Sequence, residues 1–315
     1  MAARRIITLT MNPSLDEWVT LASLRTGELN RAGGFIRHPG GKGINVSRVV
    51  RELGGATAAL AVIGGEDGRI FRALMERVGV PCRYVDVDGA TRNNYKVRTR
   101  RPSALTEINT AGPRVPARAR RQVERELDRL CAGGACLVAS GSLPPGVPAS
   151  WYRAIIRRAR RRRIPVVLDA SGRALELGLQ ARPWMIKPNR HEAEALLGER
   201  LSSRAKVADA ARRMCALGTE MVVLSLGGEG AVLAQRGSAR VLVAEAPRVR
   251  VDSAVGAGDS LVAGFVTAWL RGRPVAESFR FGVACGTAAA MTPGTELCRR
   301  RDVERVFRRV KLVSR

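Results

Sequence analysis

Along the chain, short apolar runs alternate with longer stretches in which apolar residues recur every three or four positions. The short runs predict strands at 6–11, 58–63, 136–139, 166–169, 185–187 and 221–224. The longer stretches predict helices near 44–53, 68–78, 117–131, 149–163, 190–197 and 204–217. Strands continuous in Val, Ile and Leu, separated by helices, indicate an α/β fold with a mostly parallel sheet covered on both faces. Ligands of such sheets gather at the carboxyl ends of the strands. Four polar segments follow predicted strand ends: Asn12-Pro13-Ser14-Leu15-Asp16, Ser140-Gly141-Ser142, Lys187-Pro188-Asn189 and Ser225-Leu226-Gly227.

Two regions depart from this pattern. Residues 17–38 and 91–109 are polar with short-strand character (TRNNYKVRT and LTEIN). They are interleaved with the N-terminal half, with no linker setting them apart. They predict a small sheet projecting from the main body, placed to act as a lid. No internal repeat or low-complexity linker is present.

The stretch VGAGDSLVAGF at 255–265 carries the most chemistry. Gly256-Ala257-Gly258 precede Asp259, and a helical pattern follows at once through Leu261, Val262, Phe265, Val266 and Trp269. Glycines before a helix leave its first backbone N–H groups open to a ligand, and the peptide dipoles add partial positive charge there. An anion fits such a place. A carboxylate inside it suits a general base that takes a proton from a hydroxyl attacking a phosphate. The plainer alternative is a glycine-rich turn with an acidic residue in the first helical turn.

Composition narrows the classes. With 315 residues and 45% apolar content, the chain can bury a large core, and disorder is excluded. No apolar run reaches 18 residues, so no transmembrane helix is expected. The start, MAARRIITLTMNP, lacks the apolar core and cleavage site of a signal peptide, which implies the cytoplasm. Six scattered cysteines form no CxxC, and His38 and His191 are the two histidines, so neither a zinc site nor a disulfide framework is indicated. The formal charge of +26 invites a nucleic-acid reading. Yet 49 of the 54 basic residues are arginine, which looks like codon bias in a GC-rich genome, and aromatic residues are 4%. Stacking platforms are scarce, so specific nucleic-acid binding is not expected. The run RRARRRR at 157–163 reads as a solvated helix face.

Other segments offer partners for Asp259. In Pro39-Gly40-Gly41-Lys42-Gly43-Ile44-Asn45, glycines permit close approach, Lys42 supplies a cation, and Asn45 can hydrogen-bond hydroxyls. This is not a Walker A loop. Asp16 could accept hydrogen bonds from sugar hydroxyls. Arg92, in the predicted lid, suits a phosphate monoester. Asn189 and Glu192 stand three residues apart at a helix start. They either hold waters around a Mg²⁺ on nucleotide phosphates or simply favour the helix N-terminus. The stretch from Ser225 through Gly227 to Gly230 either lines a nucleotide base or forms a hairpin.

Taken in order, TLTMNPSLD, PGGKGINVSRVVRELGG, TRNNYKV, TEINTAGP, ASGSLPPGVP, VLDASG, IKPNRHE, LSLGGEGA and VGAGDSLVAGF resemble the PfkB (ribokinase-like) carbohydrate kinases, in their phosphofructokinase and tagatose-6-phosphate kinase branch. The resemblance covers nearly the whole chain. It implies one ribokinase-like domain over 1–315: a three-layer sandwich around a mostly parallel sheet, with a small β-sheet lid that pairs in a homodimer. It implies ATP with Mg²⁺ as phosphoryl donor and a sugar phosphate as acceptor. Asp259 would be the catalytic base, with Gly256, Ala257 and Gly258 as the anion hole. Asn189 and Glu192 would act near magnesium, the metal held through water. Lys187, Asn189, Ser225, Gly227, Gly230 and Gly258 would lie along the nucleotide. Asp16, Gly40, Gly41, Lys42, Asn45, Arg92 and Ser140 would hold the sugar, with Lys42 and Arg92 toward its existing phosphate. GGKG and Thr106 to Asn109 resemble 1-phosphofructokinases and tagatose-6-phosphate kinases, whereas FGVACGTAAAMTPGTELC resembles the 6-phosphofructokinases. The expected activity is phosphorylation of fructose 1-phosphate or fructose 6-phosphate. The alternatives are a tagatose-6-phosphate kinase and, in another class, a non-catalytic sugar-phosphate or polyanion binder.

Overall fold

The computed structural model describes residues 5–132 and 136–314. Residues 1–4, which contribute to the reading of the chain's start, lie outside the described residues. In chain order the first half runs β1 (Ile6–Thr10), β2 (Ser14–Leu21), β3 (Gly34–Gly40), α1 (Lys42–Glu52), β4 (Thr57–Gly64), α2 (Gly65–Val78), β5 (Cys82–Val87), β6 (Arg92–Arg100), β7 (Ser103–Asn109), α3 (Ala117–Cys131), β8 (Cys136–Ser140) and α4 (Trp151–Arg161). The second half continues with β9 (Val166–Asp169), α5 (Gly172–Leu179), β10 (Met185–Ile186), α6 (Arg190–Leu197), α7 (Arg204–Ala216), β11 (Met221–Ser225), β12 (Gly230–Gln235), β13 (Val241–Glu245), α8 (Ala257–Leu270), α9 (Val275–Ala290), α10 (Arg300–Phe307) and β14 (Lys311–Ser314).

Among the described residues ten strands form the main sheet, in the order β14-β13-β12-β11-β10-β9-β8-β1-β4-β5. The seven strands from β11 to β5 are parallel, and β12, β13 and β14 extend one edge as an antiparallel meander. Apolar side chains leave both faces of the parallel part, as two-sided burial requires. Ile7 and Leu9 of β1 join a core with α3, α4, α5 and α7 on one face. Ile6 joins α1, α8, α9 and α10 on the other. This is the ribokinase-like sandwich that the sequence implied. No helix among the described residues is long and apolar enough to cross a membrane.

A second sheet of four strands, β3-β2-β6-β7, is built from the two polar segments. Strand β2 pairs antiparallel with β3 and parallel with β6, so Asp16 stands between His38 and Asn94. Strand β7 is exposed along its whole length. Phe35, Ile36, Leu105 and Ile108 remain open on this sheet.

Helix α8 is apolar on nearly every side because it is sandwiched in the core, with Asp259 through Ala268 all buried. Its contact with α9 runs through glycines. A methyl group added at Gly282 would stand 2.8 Å from the Leu261 carbonyl oxygen, and one at Gly286 would stand 2.9 Å from that of Ala257. A methyl at Gly264 would strike Cys285. Backbone therefore meets backbone where side chains normally intervene.

Outside, the arginine run on α4 is only partly free. Arg158 and Arg162 both reach Asp128 on α3 and Arg160 donates to the Ala181 carbonyl at 3.0 Å, while Arg157, Arg161 and Arg163 face solvent.

Candidate active site

Asp169 at the end of β9 and Lys187 just after β10 meet the start of α8 at the carboxyl edge of the parallel sheet. Gly256, the residue before α8, has φ 75° and ψ 0°, a left-handed turn that glycine adopts without strain. The turn directs the helix start into the cleft. No acceptor among the described residues takes the amides of Gly258 and Asp259. The Ala257 amide makes a long bond, 3.3 Å, to the Ala254 carbonyl. Lys187 stands over this helix start: a methyl group at Gly258 would come within 3.1 Å of its Nζ. Larger residues at 258 would therefore displace the ammonium.

Asp259 is 6% exposed. Its Oδ2 accepts a hydrogen bond from Nδ2 of Asn45 at 2.8 Å. Burial pushes the Asp259 carboxyl up to about 6, and the nearby charge of Asp169 adds to this. Lys42, the Asn45 amide and Lys187 pull the other way without cancelling it. A carboxylate poised near 6 is mostly ionised at neutral pH yet more basic than an ordinary aspartate, which suits a general base.

Asp169 ends β9 and is wholly buried between two lysines. Lys42 Nζ donates to its Oδ1 at 2.8 Å, and Lys187 Nζ lies 3.6 Å from Oδ2. Burial alone would raise this carboxyl, but Lys187 and Lys42 outweigh it and hold it below the ordinary carboxylate value. Burial likewise opposes the Lys42 charge, and Asp169 and Asp259 more than restore it. Two acids and two lysines thus share one compartment.

The small sheet supplies the facing wall. Asp16 is 5% exposed and pairs with Lys96 Nζ at 3.0 Å. Its Oδ1 also accepts from Ser14 Oγ at 2.8 Å and from Asn94 Nδ2 at 3.2 Å. Gly40 lies so close to this carboxylate that a methyl group there would overlap it. Arg92 is partly buried, and its Nε donates to the Asn12 carbonyl at 3.1 Å. Burial lowers its guanidinium, and Asp16 partly offsets that. His38 Nδ1 meets Thr295 Oγ1 at 2.6 Å, joining the small sheet to the segment between α9 and α10.

Gly41 precedes α1 with φ 110°, a second position where glycine is needed. Ser140 is completely buried, and its unpartnered hydroxyl points toward Gly43 beneath α1. Asn189 caps α6: its side chain accepts from the Glu192 amide at 2.8 Å, while Glu192 Oε2 accepts from the Asn189 amide at 2.9 Å. This is a capping box. Asn189 follows Lys187 by two residues, which sets this helix start beside the same cleft. Ser225 bonds through its amide to the Pro188 carbonyl at 2.9 Å. Gly227 opens a short 3-10 turn between β11 and β12, and Gly230 presses against the Ala244 carbonyl at the start of β12. No contact joins Ser225, Gly227 or Gly230 to Asp259 among the described residues; they form a neighbouring cluster on the same sheet edge.

Sequence reasoning missed Asp169, Lys96, Asn94 and Arg48. The signal for Asp169 was available: it is an acid at the end of a fully buried strand, where such sheets place their ligands. Lys96 was marked only by its rarity as a lysine in an arginine-rich chain.

An ionisable base beside an open helix start, with lysines ready to neutralise added negative charge, is fitted to phosphoryl transfer between small molecules. The fold and the site together define a small-molecule kinase. The chain belongs to the pfkB family of carbohydrate kinases, whose model matches residues 9–301. It is 38% identical to an ATP-dependent 6-phosphofructokinase isozyme 2 of Mycobacterium tuberculosis, across 96% of this chain and 89% of that protein. It is 34% identical to a 1-phosphofructokinase of Bacillus subtilis, across 92% of this chain and 95% of that one. Its fold superposes on the crystal structure of phosphofructokinase-2 from Escherichia coli in complex with fructose-6-phosphate with a TM-score of 0.90, at 31% identity, covering 97% of this chain and 99% of that one.

Proposed function

We propose that this chain is an ATP-dependent phosphofructokinase. It transfers the γ-phosphoryl group of ATP to the free primary hydroxyl of fructose 1-phosphate or fructose 6-phosphate and yields fructose 1,6-bisphosphate. The observation that carries this reading is Asp259, a buried carboxylate raised to about 6 at the open start of α8. Relatives named for both phosphofructokinase activities support the substrate class.

Asp259 takes the proton from the attacking hydroxyl, and the amides of Gly258 and Asp259 receive negative charge from the transferring group. Lys187 and Lys42 stand beside that path and offset the charge. Lys42 was expected beside Arg92 at the sugar's own phosphate; its ion pair with Asp169 supports a role on the phosphoryl side instead, with Arg92 for the sugar's phosphate. Asp16, Asn45, Gly40 and Gly41 orient the sugar, with Ser140 packed behind Gly43 as support for α1. Asn189, Ser225, Gly227 and Gly230 form the nucleotide side.

The residues fit Mg²⁺ held through water. The capping box occupies Oδ1 of Asn189 and Oε2 of Glu192 but leaves Glu192 Oε1 for a metal-bound water, and no group of three or more His, Cys, Asp or Glu suited to direct ligation occurs among the described residues. When bound beside Glu192 and Asn189, Mg²⁺ would offset negative charge on the nucleotide phosphates. The small sheet serves as a lid that excludes water. Its exposed Phe35, Ile36, Leu105 and Ile108 suit burial in a homodimer.

ATP turnover with fructose 1-phosphate, fructose 6-phosphate and tagatose 6-phosphate, measured side by side, tests the reading. A large kcat/KM with either fructose phosphate is expected. A preference for tagatose 6-phosphate moves the assignment within the branch. No turnover with any of them favours the non-catalytic binder.

A further inference from the structure

We propose that Arg48 is a positioning residue for the general base, acting through the side-chain amide of Asn45. The proposal rests on the reading of Asp259 as that base. Asn45 and Arg48 stand three residues apart on α1, so their side chains are neighbours. One end of the Asn45 amide, Nδ2, donates to Asp259 at 2.8 Å. The other end, Oδ1, faces a terminal nitrogen of Arg48 at 3.5 Å. The same nitrogen donates to the Pro39 carbonyl at 3.2 Å. Pro39 immediately precedes Gly40, the residue pressed against Asp16.

The chemistry is directional. A primary amide has a donor end and an acceptor end, whereas a guanidinium only donates. If Asn45 turned over, its oxygen would face the Asp259 carboxylate and its NH₂ would face a cation. Both contacts would be repulsive. Arg48 therefore permits the one amide orientation that serves the base. At 3.5 Å the contact is long for a hydrogen bond, so its force is mainly that of a fixed charge on a dipole. Burial draws the Arg48 guanidinium down to about 10, with Asp16 and Glu296 acting to raise it, so it stays charged at neutral pH. Arg48 also stands behind the Pro39-Gly40 turn, and so it ties the sugar wall to the base.

The charged groups facing Asp259 are Lys42 from α1, Asp169 from the end of β9 and Lys187 from the segment after β10. None of these is removed by a change at Arg48. Loss of the Asn45 donor raises the Asp259 carboxyl further, so the acid limb of the rate profile moves to higher pH.

The test compares kcat, KM for the sugar phosphate, and the pH dependence of kcat/KM in Arg48→Met, Arg48→Lys, Asn45→Ala and the double variant Arg48→Met/Asn45→Ala. Arg48→Met is expected to lower kcat on the order of 10- to 100-fold, as misplacement of a reacting group does, with KM little changed. Its acid limb should move up in the same direction as that of Asn45→Ala. The double variant should be no worse than Asn45→Ala alone. Arg48→Lys, which keeps the charge, should recover part of the loss. Should Arg48→Met not fold, Arg48→Gln, which also removes the charge, takes its place in the comparison with Asn45→Ala. An unmoved acid limb in the variant that removes the Arg48 charge overturns the proposal, as do additive losses in the double variant. So does a rise in KM at constant kcat, which would make Arg48 a direct ligand of the sugar's phosphate. Near-normal turnover by Asp259→Asn would instead remove the reading of the base itself, whatever the Arg48 variants do.

Discussion

The two walls of the cleft bury similar groups and treat them differently. On the small-sheet wall, Asp16 has a lysine at 3.0 Å and accepts two further hydrogen bonds, so its charge is met on the spot. On the main-sheet wall, two acids face two lysines, but both lysines lie nearest Asp169. Asp259 is left with one amide donor and the repulsion of its neighbour. The lesson is one of distribution. Matching charges one to one gives a rigid, ionised wall, whereas giving both cations to one acid leaves the other basic enough to take a proton.

The strongest way to break this comparison is to remove the poised group. Asp259→Asn should lower kcat on the order of 10²-fold or more, as for loss of a general base, with KM for the sugar phosphate nearly unchanged in a coupled ATP-turnover assay. Near-normal kcat would end the assignment of the two walls to different tasks. The counterpart on the other wall is Lys96→Met. It leaves Asp16 charged and buried, at a cost of about 3–5 kcal/mol, which denaturant unfolding would register. The double variant Asp16→Asn/Lys96→Met should recover much of that stability, because no buried charge is left alone.

Asp169→Asn sharpens the contrast by changing the neighbour rather than the base. The base must be ionised to act, so kcat/KM of the native protein should fall as pH drops through about 6. Removing the like charge at Asp169, and freeing two lysines toward Asp259, should move that acid limb to lower pH. A limb that stayed in place would show that burial alone sets the Asp259 carboxyl.

The smallest effect is expected outside the cleft. Arg158, hydrogen-bonded to Asp128, holds that carboxyl below the usual carboxylate range, with Arg162 adding to it. A depressed carboxyl stabilises the fold above its unfolded value and loses this contribution as pH falls through its folded value. Asp128→Asn should therefore cost no more than about 1 kcal/mol at neutral pH, as for surface pairs. The difference should vanish in acid, and turnover should be unaffected. Thermal unfolding at pH 7 and in strong acid would check the stability difference, and a coupled ATP-turnover assay the activity.

Much of this was legible in the sequence. Buried parallel strands announced themselves by continuous apolar runs, and β9 and α6 lie where the pattern put them. The antiparallel extension was largely unread: β12 was foreseen only as the second arm of an alternative hairpin after Ser225, β13 was not foreseen, and β14 is a short edge strand with little apolar patterning. Helix α5, eight residues with only Leu175, Gly178 and Leu179 buried, was equally silent. In the cleft, Asp259, Asn45 and Lys187 could be singled out because glycines and strand ends flagged them. Their grouping around Asp169 could not, since pairing across 127 residues leaves no local trace. One signal was available and unused. Where 49 of 54 basic residues are arginine, a retained lysine is informative, and Lys42, Lys96 and Lys187 all line the cleft. A planar guanidinium is too broad and too rigidly forked to replace a compact ammonium between buried carboxylates.

The glycine seam between α8 and α9 bears on how this gene can drift. A single base change turns any glycine codon into an alanine codon, the mildest substitution in most helices. At Gly286 the added methyl would press on the Ala257 carbonyl, in the glycine turn that opens α8. Such a lineage would keep every cleft residue intact and still lose turnover, through a position that touches no reactant. Descent should therefore hold Gly264, Gly282 and Gly286 as firmly as Asp259 itself.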